Sequence, residues 1–172
     1  MNIDKLSKYN SKEDFVEDVR KKAFEMEVNS HGCSQVVVQT FLDVFEEENL
    51  SLFMAASPFA AGMSLTGNNC GGLIGGLMVL GTIFGRKSVK EGMPGILEGI
   101  RPMRKLVRYF SGKQGSIDCR DITGTDLADP EKSETFFNGG GLEKCAGILS
   151  DVAGFVAEIL YDEFEKRKSS QG

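Results

Sequence analysis

The sequence predicts an all-α protein, a single helical bundle built around a buried, glycine-rich central helix. Three observations predict it. Apolar residues recur every three or four positions along most of the chain, and almost nothing alternates with a period of two. The charge-free stretch from Ser51 to Gly85 ends in the run CGGLIGGLMVLGTIFG, which reads as a helix meant for an interior. A chain of 172 residues is long enough to bury one proper core, and no linker divides it, so one domain spanning 1–172 is expected.

Taken in order, Ser11 followed by Asp14 starts a first helix with Phe15, Val19, Ala23 and Met26 on one face. Asn29-Ser30 offers the cap of a second, carrying Val37, Phe41, Val44 and Phe45 and ending in the solvated run Glu46 to Glu48. Ser51 to Ala61 reads as a short apolar helix or turn that leads into a polar loop. Asn68 or Asn69 is placed to cap the glycine-rich helix. Pro94 suits the first turn of the next helix, through Ile96, Ile100, Leu106, Val107 and Phe110, which Pro102 is expected to kink or divide. Gly112 and Gly115 close that segment, Asp118 caps a short turn, and Asp121 to Gly141 reads mainly as loop. The last helix is marked by Leu142, Cys145, Leu149, Val152, Val156, Leu160 and Phe164, with Lys166 to Lys168 complementing its C-terminal dipole.

Composition removes several functional classes. A net charge of −5 and a pI near 5.0 give no basic face for nucleic acid. Pro58 and the polar run Thr66-Gly67-Asn68-Asn69 interrupt the charge-free stretch, so a buried helix is expected rather than a membrane span. The N-terminal MNIDKLSKYNSKEDF has no apolar core, so no leader is expected and the compartment is read as the reducing cytoplasm. Four cysteines in that setting point to metal binding or redox chemistry before disulfide staples.

Cys33, Cys70, Cys119 and Cys145 each fall where a helix is predicted to begin. The free N–H groups and positive dipole end there favour thiolate, and four such positions suggest one shared sulfur site. There is no CxxC and no zinc-finger spacing, so the fold must bring the cysteines together. Soft sulfur ligands in this number suit zinc, copper(I) or an iron–sulfur cluster. Each position also has a plainer explanation. Cys145 lies on an apolar face, as a small core residue would. Cys119 lies between Asp118 and Arg120, and the guanidinium is a candidate to stabilise its thiolate. Cys33 follows His31, the lone histidine, a candidate proton donor or fifth ligand. Beside Cys70, Gly71, Gly72 and Gly75 either clear space for a cofactor or serve close helix packing. Asp118, Asp121, Asp126 and Asp129 lack the calcium-loop pattern and read as solvated.

The segments HGCSQVVVQTF, CGGLIGG, GSIDCRDITG and LEKCAGILSDVA together resemble the C_GCAxxG_C_C family, four-cysteine proteins to which redox activity is ascribed. The resemblance runs from about residue 29 to 160. Cys70 to Gly75 stands where the family has CGAxxG, with Gly72 in place of alanine. A related domain occurs in split-Soret cytochromes, so the resemblance implies electron transfer and iron–sulfur binding. The chain has no CxxCH for attaching haem.

Three functions follow as expectations. In the first, all four cysteines bind an iron–sulfur cluster or other thiophilic metal and exchange electrons with a redox partner protein or small carrier. In the second, a metal-free oxidoreductase cycles Cys70 and a partner, Cys119, between dithiol and disulfide. In the third, the glycine face binds a partner helix, as in an adaptor or a homodimer.

Overall fold

The computed structural model describes residues 1–171, and within them the backbone is helical, with one isolated antiparallel bridge, Asn69 to Asp118, and no strand. Helix α1 (Lys12–Ser30) starts at Ser11, whose hydroxyl accepts the Asp14 N–H at 3.1 Å. Phe15, Val19 and Ala23 are buried, and the buried row continues to Glu27 instead of Met26. Asn29 and Ser30 do not cap the second helix, because α1 runs through both. The chain turns instead on His31 and Gly32, at φ of 57° and 102°, and α2 (Cys33–Val44) begins directly after. The turn requires left-handed backbone, which Gly32 accepts without a Cβ penalty.

Asn49 caps α3 (Leu50–Ala56) through its side-chain oxygen. A single turn, α4 (Ala60–Met63), leads into the polar loop before α5 (Gly71–Phe84). Neither Asn68 nor Asn69 caps α5; Cys70 holds that position, and Asn69 donates to Asp118 at 3.1 Å. Helix α6 (Gly92–Gln114) is not divided by Pro102. The missing N–H leaves the carbonyl of Glu98 without its usual intrahelical donor, and the helix runs on past it. A short helix, α7 (Cys119–Thr123), follows. The segment expected as loop contains α8 (Pro130–Phe136), because Asp129 accepts the N–H groups of Glu131 and Lys132 while Pro130 sits at the first helical position. A π-type turn, Phe137–Gly141, joins it to α9 (Leu142–Gln171).

Helix α5 is the centre of the bundle, packed against α2, α6 and α9, while α1 lies along α9. Its glycines allow that. A Cβ at Gly75 would stand 2.6 Å from the Ser34 carbonyl on α2, and one at Gly76 would stand 2.9 Å from both Leu106 on α6 and Val152 on α9. Both glycine faces are therefore covered within the chain, which leaves neither open to a partner helix. Among the described residues no single helix is long and apolar enough to cross a membrane.

Candidate functional site

The four cysteines stand at helix N-termini: Cys33 opens α2, Cys70 caps α5, Cys119 opens α7 and Cys145 lies in the first turn of α9. Local geometry registers them against one another. The Cys70 N–H donates to the Ile117 carbonyl at 2.8 Å and the Cys119 N–H to the Asn68 carbonyl at 2.7 Å, so residues 67–70 and 117–120 run antiparallel and set two cysteines side by side. Gly71 brings the start of α5 against Cys33, since a Cβ there would overlap the Cys33 sulfur.

A left-handed run closes another wall. Ala61, Gly62, Met63, Ser64 and Leu65 all have φ between 51° and 70°. Four of these carry side chains, each at a cost of about 1–2 kcal/mol in this conformation. Hydrogen bonds from Thr66 Oγ to the Gly62 and Met63 carbonyls and from Ser64 Oγ to the Pro58 carbonyl hold the run in place. The run points the Ala61 N–H at the Cys33 sulfur, and Gly62 packs so closely on Cys119 that its Cβ would stand 2.7 Å from the cysteine's Cβ.

The result is one cavity of about 130 Å³ lined by all four cysteines together with Glu27, His31 and Gly71. That volume is close to the ~150 Å³ of an apolar cavity that takes up benzene. Gly72 and Gly75 are not in its wall; they meet Leu149, and Ser34 with Val37, as packing contacts. His31 is exposed and meets Phe137 edge to face at 6.3 Å, so these two rings form part of the rim. Arg120 does not serve Cys119: its guanidinium pairs with Asp126 at 2.9 Å.

The expected bias toward thiolate is reversed in the metal-free protein. Burial pushes the thiols of Cys70 and Cys119 up to about 11 and those of Cys33 and Cys145 up to about 12, and repulsion among the sulfurs adds to it. N–H groups of Ala61 and Ser34 at Cys33, and of Leu73 and Gly72 at Cys70, oppose the shift without overcoming it. The four cysteines form no disulfide.

Sequence reasoning missed Glu27. Its side chain is 5% exposed, and Oε2 has no hydrogen-bond partner, alone among the buried side-chain oxygens and nitrogens of the described residues. Burial raises its carboxyl to about 7. A signal was present: in the row Phe15, Val19, Ala23, Glu27, a carboxylate occupies the next core position of α1.

Among the described residues no three His, Cys, Asp or Glu groups stand close enough to hold one metal ion. The donors are instead spread around a common space. The fold and the site together define an all-α protein with four cysteines at helix N-termini around one cavity. The chain is a member of the C_GCAxxG_C_C family, described as "Putative redox-active protein", whose model matches residues 31–159. Comparison with curated proteins and with solved structures gave no match. Glu27 lies four residues before the matched region.

Proposed function

We propose that the four cysteines together hold one iron–sulfur centre, or another thiophilic centre of more than one metal ion, and that the protein carries electrons. The observation that carries this reading is the convergence of Cys33, Cys70, Cys119 and Cys145 on a single cavity. Four sulfurs are the usual ligand set of an iron–sulfur cluster. When bound, such a centre supplies a one-electron couple. The chain's own contribution is distinct. The N–H groups aimed at Cys33 and Cys70 stabilise sulfur as thiolate, the apolar walls Ile122, Leu127 and Leu149 keep water out, and the close packing of Gly71 fixes Cys33.

The thiol acidities argue against the metal-free alternative. A cysteine that attacks a disulfide needs an accessible, acidified thiol, whereas Cys70 and Cys119 are buried, Cys33 and Cys145 are half-buried, and burial raises all four to between about 11 and 12. Metal binding expels thiol protons and turns the same burial into an advantage. The partner is then a redox protein or small electron carrier, met in a reducing cytoplasm.

The test is iron and acid-labile sulfide analysis, with a visible spectrum, on protein purified without oxygen. Iron and sulfide in comparable amounts, lost together in Cys70→Ser, support the centre. Colourless, metal-free protein whose cysteines pair on mild oxidation would replace it with the dithiol cycle.

A further inference from the structure

The acidic chain has one strongly basic segment, which starts beyond the C-terminal end of α5, away from the cysteines, and runs back along α5 as far as the level of Gly76. Between Arg86 and Arg108 there are seven cations, Arg86, Lys87, Lys90, Arg101, Arg104, Lys105 and Arg108, against two carboxylates, Glu91 and Glu98; across a groove beside Arg101 and Lys105 stand Asp162 and Glu163 of α9, which pair with Lys12 and Arg167 instead. All seven are exposed, and none makes an ion pair among the described residues, although the protein's net charge is −5 and other cations are paired. An array of unpaired like charge is self-repelling unless something anionic covers it.

The same segment exposes large apolar side chains. Val89 is 78% exposed, Met93 61%, Leu97 60% and Ile100 37%. On α6 the positions 93, 97, 100, 104 and 108 follow four- and three-residue spacing, so Met93, Leu97 and Ile100 continue along one face into Arg104 and Arg108. Leu106 and Phe110 hold the opposite face in the core. An apolar stripe bordered by unpaired Lys and Arg on an anchored helix is the pattern of a helix that lies flat in a membrane interface.

Other occupants fit less well. A twofold dimer through this face would set cations against the same cations. A redox partner seated on the apolar stripe would be far from the sulfurs: Gly99 packs on the Phe84 carbonyl at the C-terminal end of α5, and Cys70 caps the other end of that 14-residue helix, about 21 Å away. We infer that the Arg86–Arg108 face docks the protein on an anionic lipid surface, with Val89, Met93, Leu97 and Ile100 entering the interface and the seven cations meeting the headgroups.

The test is co-sedimentation of the full chain with vesicles of phosphatidylcholine alone or mixed with phosphatidylglycerol, at low and high salt. The expected result is binding to the phosphatidylglycerol vesicles only, weakened by salt. Each cation removed, as in Arg101→Ala or Arg104→Ala, lowers the partition coefficient about fivefold. Leu97→Asp abolishes binding while leaving the circular dichroism spectrum unchanged, since residue 97 is exposed. Failure to bind either vesicle would overturn the proposal, as would equal binding to both, or capture by immobilised polyglutamate without vesicle binding. None of these outcomes depends on the cysteine site.

Discussion

Gly71 lies so close to Cys33 that the Cβ of any other residue at position 71 would overlap the cysteine sulfur, and it would also stand 2.6 Å from the Phe59 carbonyl. One of the two obstacles is backbone and cannot rotate away. Gly71→Ala therefore destabilises the protein by about 1–3 kcal/mol and displaces Cys33, so the proposed centre is lost without a ligand being changed. Gly81→Ala, in the same helix with no atom within 4 Å, is expected to stabilise by about 0.5–1 kcal/mol. Denaturant midpoints of the two variants check the contrast; similar effects from both would refute it.

Glu27 gives the metal-free protein a distinctive pH dependence. Its folded carboxyl is raised from 4.5 to about 7 by burial, so the folded state holds this proton more tightly than the unfolded one. Stability from this group is complete below the ordinary carboxyl range and is lost as pH rises toward 7. Glu27→Gln removes that loss, on the order of 3 kcal/mol at most. Melting curves across the range should converge with wild type in acid and separate in favour of the variant near neutrality.

Thiol reactivity offers another check. With thiols raised to about 11 and 12, the thiolate fraction of the metal-free, reduced protein at pH 8 falls about a hundredfold or more below that of a free cysteine. Alkylation by iodoacetamide should be slow in native protein and rapid once urea exposes the chain. Four fast-reacting thiols in the native state would contradict the burial argument.

Asp151 joins three helices: it accepts from Arg20 on α1 at 2.8 Å and pairs with Lys113 on α6 at 2.6 Å. Burial alone would raise its carboxyl, but the hydrogen bonds from Lys113 and Arg20 outweigh that and hold it below the usual range. The stability it confers is present above the ordinary carboxylate range and lost as pH falls through the lowered one. Asp151→Asn is expected to cost about 1 kcal/mol at neutral pH, and less in acid.

The bundle was legible where one periodicity acted alone. The rows Phe15, Val19, Ala23 and Leu149, Val152, Val156, Leu160 are buried as their spacing requires. Legibility failed where a local signal competed with composition. The Asp129-Pro130 cap was hidden in an acidic, glycine-rich stretch, and the left-handed run from Ala61 to Leu65 contains a single glycine to announce it. At the site, the positions of the four cysteines could be read from helix starts, but their acidity could not. Acidity depends on the water that folding removes, which sequence spacing does not record. Glu27 was passed over because a carboxylate on α1 looks like a solvated residue until its row is traced into the core.

The cysteines that share the cavity come from residue 33 near the beginning of the chain to residue 145 near its end. A centre held by all four therefore cannot be completed before Cys145 has been made. A nascent chain lacks its last ligand until the start of α9 has emerged, so assembly of the centre reports that all four cysteine-bearing helix starts have met. Fragments ending before Cys145 would remain uncharged with metal and could be recognised by that defect.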